Sequence, residues 1–195
     1  MMPFHLLIVI WLSTSSAFAF AEMQKLAEVF SGRWMINDKS EPSPQYPNGL
    51  TRSGEEVWHT LAGGIPLVEE YRSKSPDGKD EYDTAVFWWD ATDHRYRGLF
   101  CADFVDQGCA AFDIVWQTIG HKKVGDDTRP PSNTEEQDQI IMSGEYLQAG
   151  RRYAWKETFV FSTPTTFTQV LFVGEANHEL KRLAVISATR IGDAR

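Results

Sequence analysis

The chain contains 195 residues and carries a formal net charge of −8, with an isoelectric point near 5.1. This acidic balance argues against nucleic acid or an anionic membrane as the main partner, because both require clustered cations. The basic pairs Lys122-Lys123 and Arg151-Arg152 are too short to change that expectation. Aromatic residues make up 13% of the chain and include seven Trp. This content indicates either a densely packed core or a cavity with aromatic walls.

The N-terminal segment, residues 1–21, contains no Asp, Glu, Lys or Arg. An unbroken apolar run, Leu6–Leu12, is followed by the polar stretch Ser13–Ser16 and then by small residues close to Glu22. This layout is typical of a secretory signal that is removed by cleavage. We therefore expect cleavage before Glu22, a secreted or periplasmic mature protein, and a single domain over residues 22–195.

The same segment permits a second interpretation, an uncleaved membrane anchor. The uncharged stretch Phe4–Ala21 has about the length that a membrane span requires. Against this interpretation, the apolar run is short and no basic cluster flanks it. No other stretch approaches the length of a membrane span, so the sequence predicts none in the mature chain.

After the leader, the pattern of apolar residues changes once. Glu22–Ser31 is predicted to be a short helix, because Met23, Leu26, Ala27 and Phe30 recur at helical spacing. From there the apolar residues recur with a period of two, which is the pattern of strands. The candidate strands are Arg33–Asn37, Gly54–Leu61, Pro66–Ser73, Tyr82–Trp89, Arg95–Cys101, Cys109–Gln117, Gln139–Leu147, Arg152–Phe161, Thr166–Val173 and Arg182–Ile191.

Short strands at near-regular spacing, separated mostly by tight turns, predict an all-β fold. The expected architecture is an antiparallel up-and-down meander of about ten strands, closed into a lipocalin-like barrel behind the short N-terminal helix. Closure removes the exposed edges that an open sheet would leave. Two segments, Lys39–Leu50 and Ile119–Asp138, break the pattern and are expected to be surface loops at a barrel mouth.

The two cysteines flank one predicted hairpin. Cys101 and Cys109 are separated by seven residues that lie between two candidate strands. In an exported protein such a pair is expected to form a disulfide, and directly opposed strand residues have compatible Cα separations. A metal site is disfavoured, because no third or fourth soft ligand accompanies the pair.

The first and last strands carry a known combination of residues. Gly32 and Trp34 lie at the start of the first strand, and Arg190 lies in the last. The chain here resembles the calycin superfamily, the lipocalin-like and fatty-acid-binding barrels, which share a Gly-x-Trp on the first strand and a basic residue on the last. The resemblance implies that Arg190 stacks on Trp34 and ties the barrel closed, a contact that contributes about 0.5–2 kcal/mol.

A closer resemblance is to an uncharacterised group of bacterial lipocalin-like domains, the domain of unknown function 1579 family. It rests on the order of Phe30, Gly32 and Trp34, then Gly63-Gly64 before Val68-Glu69-Glu70, then Trp89-Asp90 before Tyr96, and finally Thr189-Arg190. The resemblance covers nearly the whole chain after the leader, and it implies a fold without an established activity. The Cys pair and the segment Ile119–Asp138 are not part of the matched pattern.

Motifs with strong catalytic geometry are absent from the sequence. There is no Gly-x-Ser-x-Gly, no His-Glu-x-x-His and no phosphate-binding Gly-Lys-Ser/Thr loop. The histidines His59, His94, His121 and His178 are well separated, and no pair has metal-ligand spacing. The sequence therefore predicts no catalytic residue, no metal and no cofactor.

Five residues are candidates for a ligand site: His59, Tyr71, Trp88, Trp116 and Trp155. If His59, Tyr71 and Trp88 share the lumen, they would form an aromatic pocket with a few polar groups, as small-molecule sites usually have. The alternative is that inward aromatic residues merely fill the barrel.

We expect an exported barrel that binds a small, largely apolar ligand in its lumen. One alternative is a small-molecule enzyme, an isomerase, lyase or hydrolase, in which His59 or Tyr71 transfers a proton. Another is a protein-interaction module that uses its outer face or the Ile119–Asp138 loop. The pairs Glu55-Glu56 and Glu69-Glu70 could supply acid/base groups, although nothing in their spacing selects them.

Overall fold

The computed structural model describes residues 6–42, 47–61, 63–74, 78, 80–121 and 135–194. Its elements are α1 (Leu6–Phe30), β1 (Gly32–Ser40), β2 (Leu50–Thr60), β3 (Leu67–Lys74), β4 (Asp80–Asp90), β5 (Arg95–Ala102), β6 (Cys109–His121), β7 (Glu135–Gln148), β8 (Arg151–Thr163), β9 (Thr166–Glu175) and β10 (Lys181–Gly192).

The strands form a closed antiparallel barrel. Each strand pairs with its neighbours in the sequence, and β1 pairs with β10 to close the ring. The predicted ten-stranded meander is therefore confirmed. Closure satisfies the backbone hydrogen-bonding groups that edge strands would expose.

The helix α1 is longer than predicted. It begins at Leu6 instead of Glu22 and ends at Phe30. Met23, Leu26 and Phe30 are fully buried, so the predicted apolar stripe is the face that packs on the barrel. Among the described residues, no helix is both long enough and apolar enough to cross a membrane.

The structure corrects the two predicted loops. Strand β1 extends to Ser40, while β6 and β7 extend to His121 and Glu135, so strands occupy parts of both segments that were predicted to be loops. Residues 43–46 and 122–134 of these segments lie outside the described residues. The strand ends that flank the two segments lie at opposite ends of the barrel: those of β6 and β7 at the end covered by α1, and those of β1 and β2 at the other end. We call these the helix end and the far end.

Trp34 and Arg190 join the first strand, the last strand and the helix. The Arg190 Cζ atom lies 4.6 Å from the centroid of the fully buried Trp34 ring. Arg190 Nη2 donates a hydrogen bond to Val29 O at 2.7 Å, and Trp34 Nε1 donates one to Phe30 O at 2.7 Å. Both donors therefore satisfy carbonyls in the last turn of α1, which a helix leaves without internal partners.

A disulfide holds the β5–β6 hairpin at the far end. Cys101 and Cys109 occupy facing positions of the two strands and are bonded, as the sequence predicted. The loop between them, residues 103–108, folds back onto the barrel. Its Val105 is buried, and its Asp106 carboxylate accepts hydrogen bonds from Ala149 N and Gly150 N at 3.0 and 2.8 Å.

Candidate ligand-binding site in the barrel lumen

Strand alternation decides which predicted ligand residues face the lumen. Tyr71 pairs with Glu56 and packs against the core, and Trp116 and Trp155 also belong to the inward rows. His59 and Trp88 follow the inward residues Trp58 and Phe87, so their side chains lie on the outer face. The predicted grouping of His59, Tyr71 and Trp88 in one lumen is therefore wrong, because two of the three have the opposite parity.

An aromatic wall runs through the interior from the helix. The Phe30 ring stacks on Trp58 with centroids 4.3 Å apart, and Trp58 contacts Phe87 at 5.0 Å. Phe87 meets Phe112 at 5.5 Å, and Phe112 meets Trp155 at 5.3 Å. The wall thus extends from the helix end to the middle of β8. Its interior position explains much of the Trp and Phe content of the sequence.

Gly98 permits one contact in this wall. A Cβ atom at this position would lie 2.0 Å from Phe112 Cζ. Glycine removes that clash, so the Phe112 ring lies across the backbone of the neighbouring strand.

Four carboxyl groups project into the lumen beside the aromatic wall. Glu56 lies on β2, Glu69 on β3 and Asp83 on β4, so three adjacent strands contribute one group each. Glu157 lies on β8, which occupies the opposite side of the ring from β3. We call Glu56, Glu69, Asp83 and Glu157 the lumen carboxyls. They approach one volume from two walls of the barrel.

Burial makes these carboxyls unusually weak acids. It raises the pKa of Glu56 to about 7 and that of Glu157 to about 7. Burial is also the largest cause of the raised pKa of Glu69 and of Asp83, and repulsion from neighbouring carboxylates adds to it. A carboxyl group with a pKa near neutrality can donate or accept a proton, and when ionised it attracts a cation.

The hydrogen-bonding partners of the lumen carboxyls are few. Trp58 Nε1 donates to Glu56 Oε2 at 3.0 Å. A side-chain hydrogen bond from Gln169 lowers the pKa of Glu157, which partly opposes the effect of burial. Gln169 is only 6% exposed, and among the described residues its Oε1 atom has no hydrogen-bond partner. An acceptor therefore lies buried and unpaired next to the carboxyl group of Glu157.

Tyr71 lies between two lumen carboxyls, since its register partners are Glu56 and Asp83. Burial raises the pKa of its phenol to about 12, so the group stays protonated at neutral pH. A Cβ atom at Gly54 would lie 2.9 Å from Tyr71 Cε2, so glycine allows the ring to lie over β2. Tyr71 can consequently offer a hydrogen-bond donor to the lumen.

Arg52 forms a separate ionic group towards the far end. Its Nη2 atom lies 2.6 Å from Asp38 Oδ2, and its Nη1 atom lies 2.6 Å from Glu81 Oε2. Asp38 is 3% exposed. Both carboxylates therefore bind the same guanidinium, whose donors are directed at them and whose charge also lowers the pKa of Asp83.

The lumen is packed differently along its length. At the helix end Trp34, Trp58, Phe87, Ile140 and Phe167 are 2% exposed or less. Further along, the inward residues Tyr71, Asp83, Glu157, Leu171 and Ile186 retain accessible surface. Burial nevertheless dominates the pKa shift of Glu157. Its accessible surface therefore faces a space inside the barrel, which we call the inner space.

Two depressions occur on the outside of the protein. One, of about 590 Å³, is lined by Arg151, Arg152, Glu175, Ala176 and Asn177 at the far end. The other, of about 380 Å³, lies beside α1. Neither contains a lumen carboxyl or a predicted ligand residue, so the inner space remains the candidate site.

The sequence contained a signal for these carboxyls. Tyr153, Trp155, Phe159 and Phe161 share one face of β8, and Glu157 occupies the central position of that face. A charged residue in a row of aromatic residues is unexpected unless the row encloses a polar space. Gln169 interrupts the apolar inward row of β9 in the same manner, between Phe167 and Leu171.

Solved structures of other proteins share the fold. Rv2717c from M. tuberculosis superposes with a TM-score of 0.57 at 12% identity, over 87% of this chain and 96% of that one. The S-type phycobiliprotein lyase CPES from Guillardia theta gives a TM-score of 0.47 at 10% identity, over 90% and 98% of the two chains. A de novo designed fluorescence-activating beta barrel gives 0.41 at 11% identity, over 85% and 96%.

At 12% identity, the similarity to Rv2717c concerns the fold alone. The TM-scores of the other two structures are too low to support a conclusion about this chain. No family model matches the chain, so membership of the domain of unknown function 1579 family stays a prediction. No curated protein matches the chain either. By fold the chain is a closed antiparallel barrel of ten strands.

Proposed function

We propose that the chain is an exported barrel that binds a small molecule in its lumen. The observation that carries this proposal is the inner space, where inward residues such as Leu171 and Ile186 retain accessible surface. The aromatic wall borders it, and aromatic surfaces with a few polar groups are the usual lining of small-molecule sites. The ligand would place its apolar part against Phe112 and Trp155.

Lumen occupancy can be tested by filling the inner space. Leu171→Trp adds bulk to an inward position of β9, whereas Val170→Trp adds the same bulk to the neighbouring outward position. We expect N-phenyl-1-naphthylamine, a neutral fluorescent probe, to bind the parent protein and Val170→Trp but not Leu171→Trp. Ile186→Trp provides a second inward variant if Leu171→Trp does not unfold cooperatively. Equal probe binding by inward and outward variants would contradict a site in the lumen.

Export is a separate part of the proposal, supported by the composition of residues 1–21. Production in a bacterial host with a secretion pathway, followed by intact mass measurement, tests it. We expect the extracytoplasmic protein to begin at Glu22. Recovery of the full-length chain from the cytoplasm or membrane, with no shortened form, would contradict it.

A further inference from the structure

We propose that the lumen binds a small organic cation, with its charged head among the lumen carboxyls and its apolar body along the aromatic wall. This inference rests on the proposed function and specifies the chemical class of the ligand. An ammonium or amidinium group carries several N–H donors, and carboxylates and amide oxygens are the acceptors that such donors require.

The first observation is a deficit of positive charge. Four carboxyls converge from β2, β3, β4 and β8. Among the described residues, the inward rows hold four cationic side chains: Arg52, Arg190, Arg151 and Lys181. Arg52 is bound by Asp38 and Glu81, Arg190 lies over Trp34 at the helix end, and Arg151 and Lys181 are exposed at the far end. No ion pair joins any of them to a lumen carboxyl within the described structure, although the charge of Arg52 lowers the pKa of Asp83.

The second observation is independent of charge. Gln169 Oε1 is buried and has no hydrogen-bond donor among the described residues, although the Gln169 side chain is hydrogen-bonded to Glu157. Buried acceptors of this kind are rare in folded proteins, and each calls for an explanation. A donor group held beside Glu157 would satisfy this amide oxygen together with the carboxylate.

The layout favours an organic cation over a metal ion. The described residues contain no group of three or more His, Cys, Asp or Glu side chains arranged to hold a metal. The lumen carboxyls instead lie on opposite walls, with an aromatic wall between them and α1. A head group with several donors and an attached apolar body fits this combination. Aromatic faces also attract organic cations directly.

Protonation of the carboxyls competes with the cation. Burial raises the pKa of all four groups, and repulsion from neighbouring carboxylates adds to this for Glu69, Asp83 and Glu157, so protons neutralise part of the cluster. A bound cation favours the ionised forms and releases those protons. Among the described residues, the other ionisable groups of the inward rows near this region include Tyr71, Tyr146, Tyr153, Arg52, Asp38 and Glu81. Tyr71 stays protonated at neutral pH, and burial also raises the pKa of Tyr146. Arg52 is paired with Asp38 and with Glu81.

The test compares three probes whose unbranched apolar bodies are nearly the same length: n-octylammonium, 1-octanol and octanoate. Isothermal titration calorimetry is run on the full chain at about pH 6 and about pH 8, in two buffers with different ionisation enthalpies. We expect octylammonium to bind at least about tenfold more tightly than either other probe. Its affinity should increase with pH, and the buffer dependence of the enthalpy should show proton release.

Neighbouring glutamates on β3 provide the matched variants. Glu69 faces the lumen and Glu70 faces outward. Glu69→Gln should weaken octylammonium binding by about tenfold and leave 1-octanol binding unchanged, whereas Glu70→Gln should change neither. Glu157→Gln tests the opposite wall in the same way. Because the neutral probe still reports an intact lumen, a loss confined to octylammonium is not a loss of folding.

The outcomes separate this inference from the proposed function. Equal or tighter binding of 1-octanol or octanoate would overturn the cation inference and leave lumen binding intact. If N-phenyl-1-naphthylamine binds in the lumen while octylammonium does not, the cation inference is again overturned. If none of these probes binds the folded protein, the proposed function fails as well.

Discussion

The helix end and the far end of the barrel are formed by the same ten strands, but their interiors are held together differently. At the helix end, aromatic and aliphatic side chains from the strands enclose Phe30 of α1, and contact between apolar surfaces provides the stability. Towards the far end, carboxyl groups replace apolar ones, and a disulfide and a folded loop hold the strands. This difference indicates that the helix end contributes most of the stability, whereas the part of the lumen that holds the carboxyls is where the proposed ligand would bind.

The largest expected effect on stability comes from a substitution at the helix end. Phe30→Ala should lower the free energy of unfolding by about 3–5 kcal/mol, because the ring is fully buried and contacts Trp58, Phe159 and Phe167. Urea denaturation monitored by Trp fluorescence measures the change. The matched control is Phe104→Ala in the loop of residues 103–108 at the far end, where the ring is 43% exposed. Similar losses of stability in both variants would contradict the larger contribution of the helix end to the stability of the fold.

The next effect concerns the covalent link of the far end. Replacing Cys101 and Cys109 by Ser should lower the free energy of unfolding by about 2–3 kcal/mol, since the closed loop is short. Denaturation of the parent protein with and without reductant should show the same difference. The double variant is the control, because reductant should leave its stability unchanged. An unaltered midpoint after complete reduction would show that the far end does not depend on the bond.

The lumen carboxyls are expected to lower the free energy of unfolding near neutral pH, in contrast to the stabilising ring of Phe30 and the disulfide, and by a smaller amount. In the folded chain the pKa values of Glu56 and Glu157 are about 7, compared with an ordinary value of 4.5. Between these values the folded chain holds more protons than the unfolded chain. The free energy of unfolding should therefore fall as the pH rises from about 4.5 to about 7. Aromatic burial at the helix end carries no such pH dependence.

Glu69→Gln tests this behaviour directly. Removing one ionisable group from the cluster should raise the free energy of unfolding by about 1–3 kcal/mol near neutral pH and flatten its pH dependence. Glu70→Gln, on the outer face of the same strand, should change neither quantity by more than about 0.5 kcal/mol. A destabilised Glu69→Gln protein would mean that the carboxylate is needed for folding. The lumen carboxyls would then have a structural role, which would argue against a role in binding alone.

The sequence predicted the barrel well, because period-two alternation and turn residues act locally. The resemblance to the calycin barrels identified Trp34 and Arg190, and the predicted hairpin between Cys101 and Cys109 indicated their disulfide. The site was harder to predict. The alternation of side chains along a strand shows which residues share a face. Only the burial of neighbours such as Trp58 shows which face is inward.

The lumen carboxyls show most clearly what could not be predicted from the sequence. Glu69 and Glu157 are far apart in sequence, and their proximity depends on the closure that places β3 opposite β8. Their raised pKa values depend on that proximity and on burial, which are properties of the whole ring. The sequence places His59 and Trp58 on opposite faces of β2, and the burial of Trp58 in the structure shows that His59 faces outward.

The smallest effect concerns the point where strands and helix meet. Arg190→Met keeps most of the side-chain length but removes the cation over Trp34 and the hydrogen bond to Val29 O. It should lower the free energy of unfolding by about 1–2 kcal/mol. Arg33→Met is the control, because Arg33 is exposed and solvent screens its ion pair with Glu55, so we expect little change in stability. Since the contacts of Arg190 lie at the helix end, its loss should leave probe binding in the inner space unchanged. A variant that lost both stability and binding would show that the two halves are coupled through β10.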